Sequence, residues 1–155
     1  MKKNFLLIFF LFICATGYCQ FEQLTINDVI CTLHKYLCKQ GYKDKNDTLF
    51  ILINVDSTFI NQNTKDYEET IYELIQKFQN TPIRIQKPSK NSPVYFLEYP
   101  IESRHFKKYF VVSVGCATYC YENGKEIIRT GGWIEMFYKN KRGKLKVKKF
   151  KEYGI

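Results

Sequence analysis

Apolar residues recur along this chain in three rhythms. The first is an unbroken run, Phe5 to Ala15, behind Lys2 and Lys3 and ahead of the small residue Gly17. That order predicts a secretory leader, and the run is well short of the roughly 20 residues that a membrane-spanning helix needs. From Ile26 the spacing becomes helical: Ile26, Val29, Ile30, Leu33 and Leu37 share one face. Thr25 stands as N-cap with Asp28 three residues on, a variant capping box, and Gly41 closes the element. A second helical stripe joins Tyr67, Ile71, Leu74, Ile75 and Phe78, with Asp66, Glu68 and Glu69 in its first turns and Asn80-Thr81-Pro82 at its end. Between the two, Thr48 to Val55 is apolar on both faces and too short for a buried helix, which predicts a central strand.

Beyond Pro82 the period is two. Short strands are expected at Ile83 to Gln86 and Val94 to Tyr99, then an antiparallel meander from Lys108. Tyr109 to Tyr121 is its long strand. Asn123-Gly124 is a strong hairpin signal, and Glu126 to Thr130 returns. Gly131-Gly132 permits a bend or bulge before Trp133 to Tyr138. A turn at Asn140 to Gly143 leads to a last strand, Lys144 to Phe150. The expected fold is α+β: two helices from the N-terminal half on one face of a mostly antiparallel, curved sheet of about six or seven strands. This order is similar to that of cystatin-like and NTF2-like folds, where a helix lies across a meander. The similarity is architectural and implies no activity, because such folds host many functions.

The leader is expected to end at Cys19, giving a cleaved segment 1–19 and a single domain 20–155. A cut after Gly17 also fits the small-residue preference, but it leaves five cysteines, one of them unpaired. Thr16 and Tyr18 do not suit lipidation of Cys19. The destination read from this is periplasmic or secreted, with no retained transmembrane segment. The chain carries 24 basic against 15 acidic side chains, a net +9, and loses Lys2 and Lys3 with the leader. Much of the excess lies between Lys139 and Lys151, a hint of an anionic partner.

Cys31 and Cys38 are seven apart on the first helix, about 10.5 Å. Cys116 and Cys120 are four apart on the long strand, about 13 Å. Neither pair can close on itself, since a disulfide needs Cα atoms within about 7 Å. The spacings nearly match, however, so two helix-to-strand disulfides are expected in an exported domain. Reduced thiols acting as small buried hydrophobes are the alternative. Zinc held by these cysteines with His34 is excluded by the helical spacing, because tetrahedral ligands must converge on one point. No metal and no cofactor is called for.

Candidate chemistry is sparse. No Gly-x-Ser-x-Gly, phosphate-binding glycine loop or His-Glu-x-x-His occurs. His34 reads as a residue at the edge of the first helix's buried face. His105, expected on a loop with Arg104 and Glu102 and close to Glu98, could serve phosphodiester hydrolysis: a carboxylate as base, His105 as acid, Arg104 on phosphate. Lys144, Lys146 and Lys148 alternate with Leu145 and Val147, either protecting a sheet edge or forming a cationic strip for a glycan, nucleic acid or other anionic surface. Aromatics near that strip are limited to Phe150 and Tyr153. Ser113, Gly115 and Ala117 form a small-residue trough flanked by Tyr109, Tyr119 and Tyr121. It is either a ligand groove or the seat of a closely packed helix. The leading expectation is an exported, disulfide-stabilised binding domain without catalysis; the alternative is a small basic hydrolase acting through His105.

Overall fold

The computed structural model describes residues 24–154 except 56, 100, 102 and 143, and only the backbone of 55, 57–67 and 130. The leader, its cleavage positions and Glu102 lie outside the described residues.

Helix α1 spans Ile26–Gln40 and is bounded as its sequence dictates. The Thr25 side chain accepts from the Asp28 backbone N–H at 3.1 Å, and the Asp28 carboxylate accepts from the Thr25 N–H at 3.1 Å. Gly41 ends the helix in the left-handed region at φ 77°, its N–H bonded to the Cys38 carbonyl. Strand β1 (Leu49–Val55) leads to helix α2 (Ser57–Phe78). Six further strands follow: β2 (Ile83–Arg84), β3 (Ser92–Tyr99), β4 (Arg104–Phe106), β5 (Tyr109–Glu122), β6 (Lys125–Lys141) and β7 (Lys144–Tyr153).

The strands form one curled, mostly antiparallel sheet in the order β2-β1-β3-β5-β6-β7, with β4 also on β5. β1 runs parallel to both β2 and β3, which explains its unbroken apolar sequence. Its odd positions Leu49, Ile51 and Ile53 face the main core, while Phe50 and Leu52 join a small second cluster with Val94, Phe96, Ala117 and Tyr119. Both helices pack on the same face as the odd set. Val29, Ile30 and Leu33 of α1 and Leu74 and Phe78 of α2 meet Tyr95, Leu97, Val112, Val114, Ile134 and Met136 there. Each such fully buried aliphatic side chain contributes about 1.5–3 kcal/mol.

Two expected boundaries move. α2 begins at Ser57, so Glu68 and Glu69 lie in its middle, and Ile75 is 45% exposed while Ile71, Leu74 and Phe78 point inward. The Asn/Thr-rich segment before Tyr67 has no apolar stripe, which hid this half of the helix. The segment before the long strand, expected as a loop, contains β4. It turns back through Lys107 at φ 56° to pair with β5.

The hairpin and the bulge fall where expected. Asn123 and Gly124 both have positive φ, 49° and 75°, the backbone of a two-residue hairpin turn. Register shifts between Cys116, paired with Gly132, and Ala117, paired with Thr130, so Gly131 is the extra residue. At Gly132 (φ 149°) a Cβ would lie 2.0 Å from the Tyr153 carbonyl oxygen, so only glycine fits beneath β7.

Candidate cationic and aromatic face

Among the described residues no helix packs against the second face of the sheet, and cross-strand register lays its side chains out in rows. Phe96, Gly115, Trp133 and Tyr153 form one row across β3, β5, β6 and β7. Ser113, Glu135 and Lys151 form the next, and Arg104, Val111, Phe137 and Lys149 the third. Ser113 and Gly115 carry little side chain, so they floor a groove of about 620 Å³ whose walls include Phe96, Leu52 and Glu98. The expected trough is therefore open at Ser113 and Gly115. Phe96 is among its walls and the tyrosines are not, while Trp133 stands opposite Gly115 on β6. Tyr119 is buried with Ala117 in the second cluster and donates its hydroxyl to Glu126, which Lys87 also reaches at 3.1 Å. Together the Tyr119 hydroxyl and then Lys87 hold the Glu126 carboxyl below the usual range. Tyr121 donates to the Pro88 carbonyl.

Cations and rings interleave on the β6–β7 side of this face. The Trp133 and Tyr153 rings stack at 5.0 Å and 19°. Lys149 Nζ sits 4.2 Å from the Phe137 ring centroid and 5.2 Å from that of Tyr109, and Lys151 is 5.7 Å from Phe137. Lys108 lies over Tyr109 and Lys107 over Phe106. Glu135, a carboxylate in the midst of these groups, is only 5% exposed. It is paired with the Arg104 guanidinium and accepts from the Tyr153 hydroxyl at 3.0 Å.

A second bulge arranges the lysines. Phe137 pairs with Lys149 but Tyr138 with Val147, which makes Lys148 the extra residue on β7. Lys144 and Lys146 share the helix-free face below it. Alternation then restarts, so Lys149 and Lys151 continue the row on that face while Phe150 turns to the helices. Phe150 stacks on Tyr36 at 3.8 Å and 11°. The bulge thus adds Lys149 and Lys151 to the expected strip of Lys144, Lys146 and Lys148, and the expected aromatic Phe150 belongs to the core. Beside it, Glu152 accepts from the Tyr36 hydroxyl at 2.7 Å and the Tyr42 hydroxyl at 2.9 Å. Burial first and Glu152 second push the Tyr36 phenol well above its ordinary range.

The residues considered for hydrolysis are not gathered. Arg104 and His105 are neighbours on β4 and point to opposite faces: Arg104 to Glu135, His105 onto the Phe110 ring at 4.2 Å on the helix side. Glu98 does line a small cleft of about 200 Å³ with Arg104 and Ser113. No group of three His, Cys, Asp or Glu that could hold a metal ion occurs among the described residues.

Cys31, Cys38, Cys116 and Cys120 are free, and the expected helix-to-strand disulfides are not formed. Three of the thiols find a neighbour within their own element: Cys31 meets Asn27 Oδ1 at 3.7 Å, Cys38 meets His34 Nε2 at 3.7 Å, and Cys120 meets the Thr118 carbonyl at 4.0 Å. Burial, with a smaller contribution from Glu152, pushes the Cys116 thiol up to about 12. His34 is shifted down by burial and then by Lys43.

A second cavity, about 800 Å³, opens on the helix side between the first turn of α1, α2 and the ends of β3, β5 and β7, with Leu24, Leu74, Tyr99 and Phe110 among its walls. Sequence reasoning missed it. It missed Trp133, Phe137, Lys149, Lys151 and the Arg104–Glu135 pair as well. The available signal for these was Trp133, Glu135 and Phe137 sharing parity opposite Ile134 and Met136. No helix among the described residues is long and apolar enough to cross a membrane. No protein-family model matches the chain, nor does any curated protein or solved structure.

Proposed function

We propose that this protein is an exported, non-catalytic binding domain, periplasmic or secreted, that engages an anionic partner through the helix-free face. The observation that carries this reading is the β7 bulge. It keeps Lys144, Lys146, Lys149 and Lys151 on one face, above rings that orient two of them, while the nearest carboxylate is buried and paired. The leader pattern supports export. The finer fold assignment, cystatin-like or NTF2-like, rests on two helices on one face of a curled, mostly antiparallel sheet. Oxidation of the helix thiols onto the strand thiols after export belongs to the same proposal; four thiols labelled without reductant in an intact-mass experiment would remove it.

Retention on a sulfated-polysaccharide resin tests the anionic partner. The chain is expected to elute at lower salt once Lys144, Lys146, Lys149 and Lys151 are changed to Ser. Retention indifferent to salt and to those changes would sink the reading. Phosphodiester hydrolysis through His105, Arg104 and Glu98 or Glu102 is the competing function. Cleavage of nucleic acid that His105→Ala abolishes would put it first, and the opposed directions of Arg104 and His105 weigh against that result.

A further inference from the structure

We infer that the anionic partner is a single-stranded nucleic acid, held with a base stacked on Trp133 and its backbone phosphates on Lys149 and Lys151. The inference rests on the anionic-partner reading above and adds to it the chemical class of the ligand. Trp133 is the chain's one tryptophan and is 46% exposed, although one ring face lies against Tyr153. A large planar ring, fixed by one stacked neighbour and open to solvent, is the platform on which bases stack without regard to sequence.

The groups around this platform fit a strand. Lys151 and Lys149 occupy the next two rows of the same face, on the strand that carries Tyr153. Alternate residues of a strand are about 6.8 Å apart, commensurate with the step between successive phosphates of an extended single strand. On the other side of Trp133 the floor is Gly115 and Ser113, which leaves room for a sugar and base beside the ring. Charge also sets a path. Glu135 is neutralised by Arg104 and does not repel phosphate, whereas exposed Glu98 lies across the groove on β3, so the backbone is expected to follow β6 and β7. A duplex keeps its base faces inside and cannot use Trp133. An acidic glycan can satisfy the lysines but offers no π-face to the indole, so it should bind more weakly than a base-bearing strand.

The experiment is a titration of the purified chain with an oligothymidylate of about twelve nucleotides, an abasic strand of the same length and a heparin oligosaccharide. Fluorescence of Trp133 reports stacking, and anisotropy of labelled ligand reports affinity. Oligothymidylate is expected to quench the tryptophan and to bind at least about five-fold tighter than the abasic strand, the loss of one stacked base corresponding to roughly 5- to 150-fold. Trp133→Ala should weaken oligothymidylate by that factor and leave the abasic strand unchanged, while Trp133→Phe, which keeps a ring, should retain most of the affinity. The slope of log K against log salt should be about −1.4 or steeper for two phosphate contacts. Equal binding of abasic and base-bearing strands without quenching, or heparin binding as tightly as oligothymidylate, would overturn the inference and leave the anionic-partner reading standing. Binding of none of the three would remove both.

Discussion

The two faces of this sheet are made by the same strands and do different work. On β6, Ile134 and Met136 have no exposed surface and meet the helices, whereas Trp133 between β5 and Tyr153 remains half in solvent. Phe137 is nearly as buried as Met136, but it is covered in part by the side chains of Lys149 and Lys151 rather than by a helix. Burial by a helix removes water permanently and pays for folding. Burial beneath lysine stems orders the charges above and leaves them reachable. The period of two thus allots alternate residues of one strand to the helix-covered core and to the helix-free face where binding is proposed, and a change on one face should register little on the other.

The sharpest test of that division compares adjacent residues. Ile134→Ala opens a cavity among α1, β5 and β6 and should cost about 2–5 kcal/mol. Trp133→Ala removes a larger side chain but one that is half exposed, and should cost about 1 kcal/mol, chiefly the stacking with Tyr153. Urea unfolding followed by far-ultraviolet circular dichroism measures both without depending on tryptophan emission. Equal losses would break the comparison, since they would make the helix-free face a second core.

A smaller effect is expected at Glu135, the carboxylate buried on the helix-free face. Arg104→Ala leaves Glu135 with only the Tyr153 hydroxyl, which should cost about 1–3 kcal/mol. Arg104 is itself largely exposed, so water can enter in its place and the loss should stay below the 3–5 kcal/mol typical of a fully buried pair. Adding Glu135→Leu should restore most of the loss. A double variant no more stable than Arg104→Ala would mean that the pair organises the face beyond satisfying one charge.

How much of this could be read from the chain differs between the faces in the same way. α1 was legible to its caps, because Thr25, Asp28 and Gly41 act locally and the apolar stripe states which side is buried. The Asn123-Gly124 hairpin and the Gly131 bulge were legible for the same reason: each requires a backbone conformation that few residues adopt. The first half of α2 was not: Asp56 and Ser57 offer a helix-start signal, but no clear apolar stripe runs from them to Tyr67 to show that a helix follows. The helix-free face was legible only in fragments. A period of two puts Trp133, Glu135 and Phe137 on one face, but both sets on β6 are rich in apolar residues and nothing local says which set receives the helices. The β7 bulge at Lys148 carries no glycine, so the register that aligns Lys149 with Phe137 emerges only from pairing with β6.

The smallest stability effect is expected from the lysines proposed to bind the anionic partner. Lys149→Ser with Lys151→Ser removes cation–π contacts of about 0.5–1 kcal/mol each. It also relieves longer-range repulsion in a chain of net positive charge, although Lys149 itself stands opposite Phe137 and Lys151 opposite Glu135. Relief at that range is smaller than the lost contacts, which are exposed and partly share the Phe137 ring, so the net change should be a loss of about 1 kcal/mol or less. Unfolding in low and high salt separates them: screening weakens the repulsion, so the double variant should become less stable relative to the parent as salt rises. If the lysines serve edge protection instead, the double variant will show its change in sedimentation velocity, self-associating through the uncovered β7 edge while its polyanion retention stays that of the parent.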